Sequence, residues 1–175
     1  MKVLVTGGVR SGKSRHAESL LPTGAPVTYV APGPVPDADD ADWAARVAAH
    51  RAARPVAWTT RETRDVAGAL AGASAPVLVD CLGTWLTGVI DERELWEAPS
   101  AEVAAVVDDL LSGMVGALAA TRVAAVLVTN EVGLGVVPAH RSGRLFRDLL
   151  GTVNQRLAAG CDEVHLVVAG RVLRL

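Results

Sequence analysis

Gly7-Gly8-Val9-Arg10-Ser11-Gly12-Lys13-Ser14 stands between an apolar run, Val3-Leu4-Val5, and a stretch of helical character, Ser14 to Leu21. The octet fits G-x-x-x-x-G-K-[ST], the phosphate-binding loop, and the strand–loop–helix order around it is the context that signature requires. Glycines let successive backbone N–H groups turn inward toward phosphate oxygens, and the helix that follows presents its positive end. In that geometry all eight residues, Gly7 to Ser14, bind the nucleotide. Lys13 reaches the β- and γ-phosphates, and the Ser14 hydroxyl holds Mg²⁺. Of the 17 basic residues only Lys2 and Lys13 are lysines. Arg is a broad planar fork and Lys a point charge on a thin stem, so a Lys between Gly12 and Ser14 reads as selected for its chemistry. The competing reading is a glycine turn with a chance Lys.

The 175 residues suffice for one domain, residues 1–175, with a sizeable core. Half are hydrophobic, mostly Ala, Val and Leu, and the net charge is −2. A chain of that charge has no general basic surface for nucleic acid, so a polyanion site must be local. No apolar run is expected to reach the length of a membrane span, and the N-terminus lacks a signal-peptide pattern. Cys81 and Cys161 are far apart without metal-type spacing and read as reduced thiols of a cytoplasmic protein.

Short apolar runs alternate with helical stretches, which predicts an α/β fold with a mostly parallel central sheet flanked by helices. Expected strands are Lys2–Thr6, Val27–Ala31, Val56–Thr59, Val77–Asp80, Ala124–Thr129 and Glu163–Ala169, with Arg171–Leu175 as a final hairpin strand turning at Gly170. Expected helices are Gly12–Leu21, Asp40–Ala53, Thr63–Ala71, Ser100–Thr121 and Arg141–Ala159. Two stretches read as mobile loops, the Pro- and Asp-rich Ala31–Asp40 and the acidic Thr87–Pro99.

Asp80 ends the run Val77-Leu78-Val79. An acid at the C-terminal tip of a parallel strand faces the crevice where ligands bind, and beside Lys13 and Ser14 it reads as a second Mg²⁺ or nucleotide anchor. The plainer reading is a strand-end cap. Arg46, His50 and Arg54 are spaced i, i+4, i+8 and line one helix face. Flanking cations disfavour a protonated imidazole, and neutral imidazole is a nucleophile toward phosphorus. From spacing alone, a solvent-facing His on a charged face is the stronger reading. Thr129-Asn130-Glu131-Val132-Gly133 follows another apolar strand and reads either as a further lip of the crevice or as a turn. His16 reads as a surface or packing residue, His165 as a satisfied core or edge residue, and His140 as a helix-cap residue. At this level three functions stay open: a kinase, a nucleotidyltransferase, or a nucleotide-switched binding module.

The segments together resemble the bifunctional adenosylcobinamide kinase/adenosylcobinamide-phosphate guanylyltransferase family of cobalamin biosynthesis, nearly end to end. The resemblance is carried by Val5–Glu18, Arg46–His50, Arg54-Pro55, Trp58–Glu62, Val79–Leu82, Val128–Pro138, Arg144–Asp148 and Val153–Ala158. The Thr-Asn-Glu-Val-Gly and Asn-Gln-Arg-Leu blocks are its most specific parts. It implies a P-loop nucleotide-binding fold and two reactions. A nucleoside triphosphate, ATP or GTP, phosphorylates the aminopropanol hydroxyl of adenosylcobinamide, and GTP then donates GMP to that phosphate. It further implies that His50 carries GMP covalently, with Lys13 as the other catalytic residue. Nucleotide contacts follow at Arg51, Ala52, Ala53, Arg54, Glu62 and Asp80. A homotrimeric assembly is implied as well.

Overall fold

The computed structural model describes residues 1–34, 45, 48, 51–52 and 54–175. Most of the expected helix Asp40–Ala53 and of the expected loop Ala31–Asp40 lies outside the described residues, while Ala45, Ala48, Arg51 and Ala52 are helical. The elements run β1 (Lys2–Gly7), α1 (Lys13–Ser19), β2 (Val27–Ala31), β3 (Trp58–Glu62), α2 (Val66–Ala71), β4 (Val77–Asp80), α3 (Leu82–Glu92), α4 (Ser100–Ala120), β5 (Ala125–Val128), α5 (Arg141–Ala158), β6 (Glu163–Val168) and β7 (Arg171–Arg174). They form one seven-stranded sheet in the order β3-β2-β4-β5-β1-β6-β7. Every neighbouring pair is parallel except the β6–β7 hairpin.

Strand pleating divides the apolar residues between two faces. Val3, Val5, Val27, Tyr29, Leu78, Val126 and Val128 pack with Ala17 of α1 and with Leu21 just beyond it. Leu4, Val30, Val77, Val79, Ala125 and Leu127 pack with α2 to α5 on the other face. Central strands covered on both sides have no reason to alternate, which is why β4 and β5 read as continuous apolar runs. β1 lies between β5 and β6, so the chain leaves its tip in one direction and crosses from β5 to β6 in the other. Such a reversal of strand order opens a crevice at the C-terminal strand ends.

Three expectations need correction. Thr87–Pro99 is not a loop throughout, because α3 occupies Leu82–Glu92. Leu82, Trp85, Leu86, Val89 and Ile90 are buried at helical spacing, but Gly83, Thr84, Thr87 and Gly88 are weak helix formers and mask the period. At Gly88 a Cβ would lie 2.9 Å from Nε of Arg64, so a side chain there would push aside the guanidinium that pairs with Glu92 at 2.6 Å. The segment after α3 is tied down by the Arg141 guanidinium, which donates to the carbonyls of Trp96 and Ala98. The third strand is Trp58–Glu62, not Val56–Thr59. As an edge strand it exposes every residue after Trp58, so apolarity does not mark it. Finally, α4 does have the length and composition of a membrane span, with a mean hydropathy of 1.7. It packs one face into the core through Val103, Val107, Leu111, Met114 and Leu118, and its Asp108 pairs with Arg156 of α5.

That i, i+4 stripe makes α4 the buttress of the helical face. Leu111→Ala should lower unfolding free energy by about 2–5 kcal/mol, the usual cost of a cavity at a fully buried leucine, measured by urea denaturation. An exposed-site control, Ser112→Ala, should change it by under about 1 kcal/mol.

Candidate active site

The Gly7–Ser14 turn is built by close approach and backbone hydrogen bonds. A Cβ on Gly7 would stand 2.4 Å from the carbonyl oxygen of Val167, so the end of β1 meets β6 where no side chain fits. Gly12 adopts φ 94°, a left-handed conformation that costs glycine little. The Ser11 amide donates to Gly8 O at 3.3 Å, and the Gly170 amide donates to Ser11 O at 2.8 Å. The β6–β7 turn therefore supports the loop from behind. On the other side the Glu131 amide donates to Gly7 O at 3.1 Å, joining the loop to the tip of β5. Gly8, Val9 and Arg10 are exposed at the apex. Lys13 Nζ folds back to donate to Gly8 O at 3.2 Å, across the concave side that the signature assigns to phosphate.

Asp80 closes β4 on the sheet face of α1. The Tyr29 hydroxyl donates to its Oδ2 at 3.1 Å, and the Arg54 guanidinium lies 3.5 Å above the Tyr29 ring, a cation–π stack. Arg54 also donates to Thr60 Oγ1 at 2.8 Å, and Arg51 pairs with Glu62. Thus Asp80 and Arg54 are joined through Tyr29, and Arg51 and Glu62 form a separate pair at the end of β3. Burial, followed by the Asp80 charge, pushes the Tyr29 hydroxyl far above its usual range, against the pull of Arg54. It therefore remains a donor. Burial also pushes the Cys81 thiol up, reinforced by Asp80, while Thr84 and Lys13 act oppositely. Lys13 is thus close enough to β4 for its charge to be felt there.

The third lip is set from a distance. Thr129 Oγ1 donates to Asn154 Oδ1 at 2.6 Å, and Asn154 Nδ2 donates to the carbonyl of Asn130 at 3.0 Å. Helix α5 thereby fixes the turn after β5. Glu131 is used locally, accepting from the Gly133 amide at 2.6 Å, as the turn reading expects. A Cβ on Gly83 would lie 2.8 Å from Asn130 Oδ1, so Gly83 makes room for Asn130.

His50 and Ala53, like Arg46, lie outside the described residues, while Arg51 and Ala52 are helical and exposed. Among the described residues no three His, Cys, Asp or Glu side chains form a metal cage. The donors present, the Ser14 hydroxyl and the Asp80 carboxylate, are hard oxygens. They fit Mg²⁺, which needs one or two carboxylates and takes its other ligands from phosphates and water. A groove lined by Arg64, Asp65, Trp85, Val89, Leu110 and Met114 opens on the helical face and contains none of the predicted site residues.

Residues 3–175 match the family described as cobinamide kinase / cobinamide phosphate guanyltransferase. The chain belongs to that family. It is 41% identical over 180 residues to the bifunctional adenosylcobalamin biosynthesis protein CobU of Salmonella typhimurium, covering 97% of both chains. It is 39% identical to CobU of Escherichia coli, again over 97% of both. The bifunctional adenosylcobalamin biosynthesis protein CobP of Pseudomonas aeruginosa is 37% identical, over 97% of this chain and 94% of its own.

Tyr29, Asn154 and Gly170 hold the site together, yet none stood among the predicted site residues. Tyr29 is the only tyrosine, and its place two residues before the end of a buried strand was a usable signal. Gly170 was marked only as a turn.

Gly7→Ala should displace β6 and lower unfolding free energy by about 1–3 kcal/mol, with loss of nucleotide binding by calorimetry. Tyr29→Phe should cost about 0.5–1.5 kcal/mol at neutral pH. The folded-state pKa of Tyr29 is raised, so the stabilisation is full below the unfolded value of 10.0 and declines above it. Urea titrations of wild type and Tyr29→Phe should therefore converge as pH rises past 10.0.

Proposed function

We propose that this protein phosphorylates adenosylcobinamide and then guanylylates the product in adenosylcobalamin synthesis. The observation that carries the reading is the Gly7–Ser14 turn, held open between β5 and β6 with Lys13 across its concave side. In the first reaction the loop amides and Lys13 hold the β- and γ-phosphates of ATP or GTP. The acceptor hydroxyl forms the new O–P bond as the bridging bond to the β-phosphate breaks. Mg²⁺, when bound, supplies positive charge at the phosphates. Ser14 and Asp80 would hold it, with Tyr29 orienting the carboxylate.

In the second reaction His50 is the nucleophile. Its neutral imidazole bonds to the α-phosphorus of GTP and pyrophosphate leaves. The phosphoramidate then passes GMP to adenosylcobinamide phosphate, giving adenosylcobinamide-GDP. Arg51 and Arg54 offer guanidinium groups for the phosphates, and Glu62 keeps the Arg51 guanidinium oriented. A single domain over residues 1–175, cytoplasmic location and a homotrimer complete the reading. Assembly is supported by the exposed apolar residues Leu134, Val136 and Val137 at the rim of the crevice, and sedimentation velocity tests it.

Incubation with α-labelled GTP should give an acid-labile, base-stable protein label. His50→Ala should abolish that label and guanylyl transfer while phosphoryl transfer persists; a label that survives in His50→Ala rules out this nucleophile. Lys13→Ala should reduce phosphoryl transfer by about 10²–10³-fold or more, the scale of losing a preorganised charge contact.

A further inference from the structure

Among the described residues, His165 is the most deeply buried ionisable side chain away from the strand tips, with 1% exposure in mid-β6. A buried imidazole needs partners for both ring nitrogens. Here Nε2 meets Glu163 Oε2 at 2.7 Å, and Nδ1 meets Nε2 of His16 at 2.9 Å. The two rings are tilted by 45° with centroids 5.1 Å apart. Arg174 on β7 stands 3.8 Å from the same Glu163 oxygen. The hydrogen bond from His165 holds the Glu163 carboxyl below its usual range, so it is an ionised acceptor. His165 must then donate from Nε2. Its Nδ1 accepts from His16 Nε2 when the ring is neutral and donates to it when the ring is protonated. Glu163 thereby fixes the Nε2–H of His165, and the other side of the same ring meets α1 through His16.

His16 belongs to the same helical turn as Lys13 and Ser14, and its amide donates to Gly12 O at 2.9 Å. The Gly170–Ser11 hydrogen bond is a second tie between the same two parts of the chain. An apolar pair in place of the two imidazoles would fill space, but dispersion contacts tolerate sliding, whereas a hydrogen bond between rings is directional. We propose that Glu163 and His165 are positioning residues for phosphoryl transfer, acting through His16 to set the first turn of α1, and with it Lys13 and Ser14, against β6. Neither side chain touches substrate. The inference rests on the reading of Gly7–Ser14 as the nucleotide-phosphate site.

Two readouts test it on the full chain, imidazole ¹⁵N spectra and steady-state phosphoryl transfer to adenosylcobinamide. In the wild type His165 should carry a proton on Nε2. Glu163→Ala should let that proton redistribute between the two ring nitrogens and lower kcat about tenfold with nucleotide KM changed by less than about twofold, because small misplacements act mainly on the transition state. Glu163→Gln, whose amide oxygen accepts the same hydrogen bond, should restore the Nε2 proton and most of the rate. His165→Phe should lower kcat similarly; if it does not fold, the Glu163 variants decide, since that side chain is 43% exposed. Wild-type kcat in Glu163→Ala, or failure of Glu163→Gln to restore it, overturns the proposal. So does a wild-type His165 without a proton on Nε2. The tautomer readout needs no turnover, so a wild type inactive in phosphoryl transfer would sink the functional reading and leave the relay to be judged on its spectra.

Discussion

The carbonyl oxygen of Val167 comes so near the end of β1 that residue 7 has no room for a side chain. From that contact the rest of the crevice follows. The chain must turn at once, and it does so through Gly8 and a left-handed Gly12. The turn is held on one side by the Gly170 amide and on the other by the Glu131 amide. Backbone donors that β1 would otherwise spend on a neighbouring strand are thereby freed to face outward, and α1 starts with its positive end at the same point. The proposed phosphate site is thus a product of how three strands end, with side chains added at its edge.

The polar side chains around this turn differ in how they are stabilised. Tyr29, Asp80 and Arg54 form a stacked and hydrogen-bonded column, with the tyrosine kept protonated by its burial. The Arg51–Glu62 pair is half-exposed and contributes little to folding, since surface pairs are weakened by solvent and lost side-chain entropy. Arginines held this loosely can change partner when phosphates arrive. A buried neutral donor such as Tyr29 cannot, and it keeps the Asp80 carboxylate aimed while the cations around it are redistributed.

The sheet and the glycine turn were legible because each rests on local signals: apolar runs for β1, β4 and β5, and a fixed spacing of Gly, Lys and Ser. Helix α3 was illegible for a local reason too, since four small or β-branched residues interrupt its apolar stripe, and tertiary burial outweighs their poor propensity. Edge strand β3 slipped because solvent-facing Thr and Arg carry no burial signal. Of the candidate site, Lys13, Ser14 and Asp80 could be nominated by motif and strand-end position. The link from Asn154 to Asn130 and from Gly170 to Ser11 could not, because contacts between residues so far apart in sequence leave no periodicity to read. His165 was read as a satisfied core residue, and its two hydrogen bonds agree; that His16 is one of the partners was not visible.

The hairpin of β6 and β7 comes last in the chain order of the sheet, long after the turn it supports. During synthesis, a nascent chain exposed only as far as Gly160 can pair β1 with β5 but has neither the wall behind Gly7 nor the amide that meets Ser11. Such an intermediate has an incomplete anion cradle and an open edge on β1. Gripping a nucleotide therefore becomes possible only once β6 and β7 have been made and paired, so ligand binding selects for chains in which the whole sheet has folded.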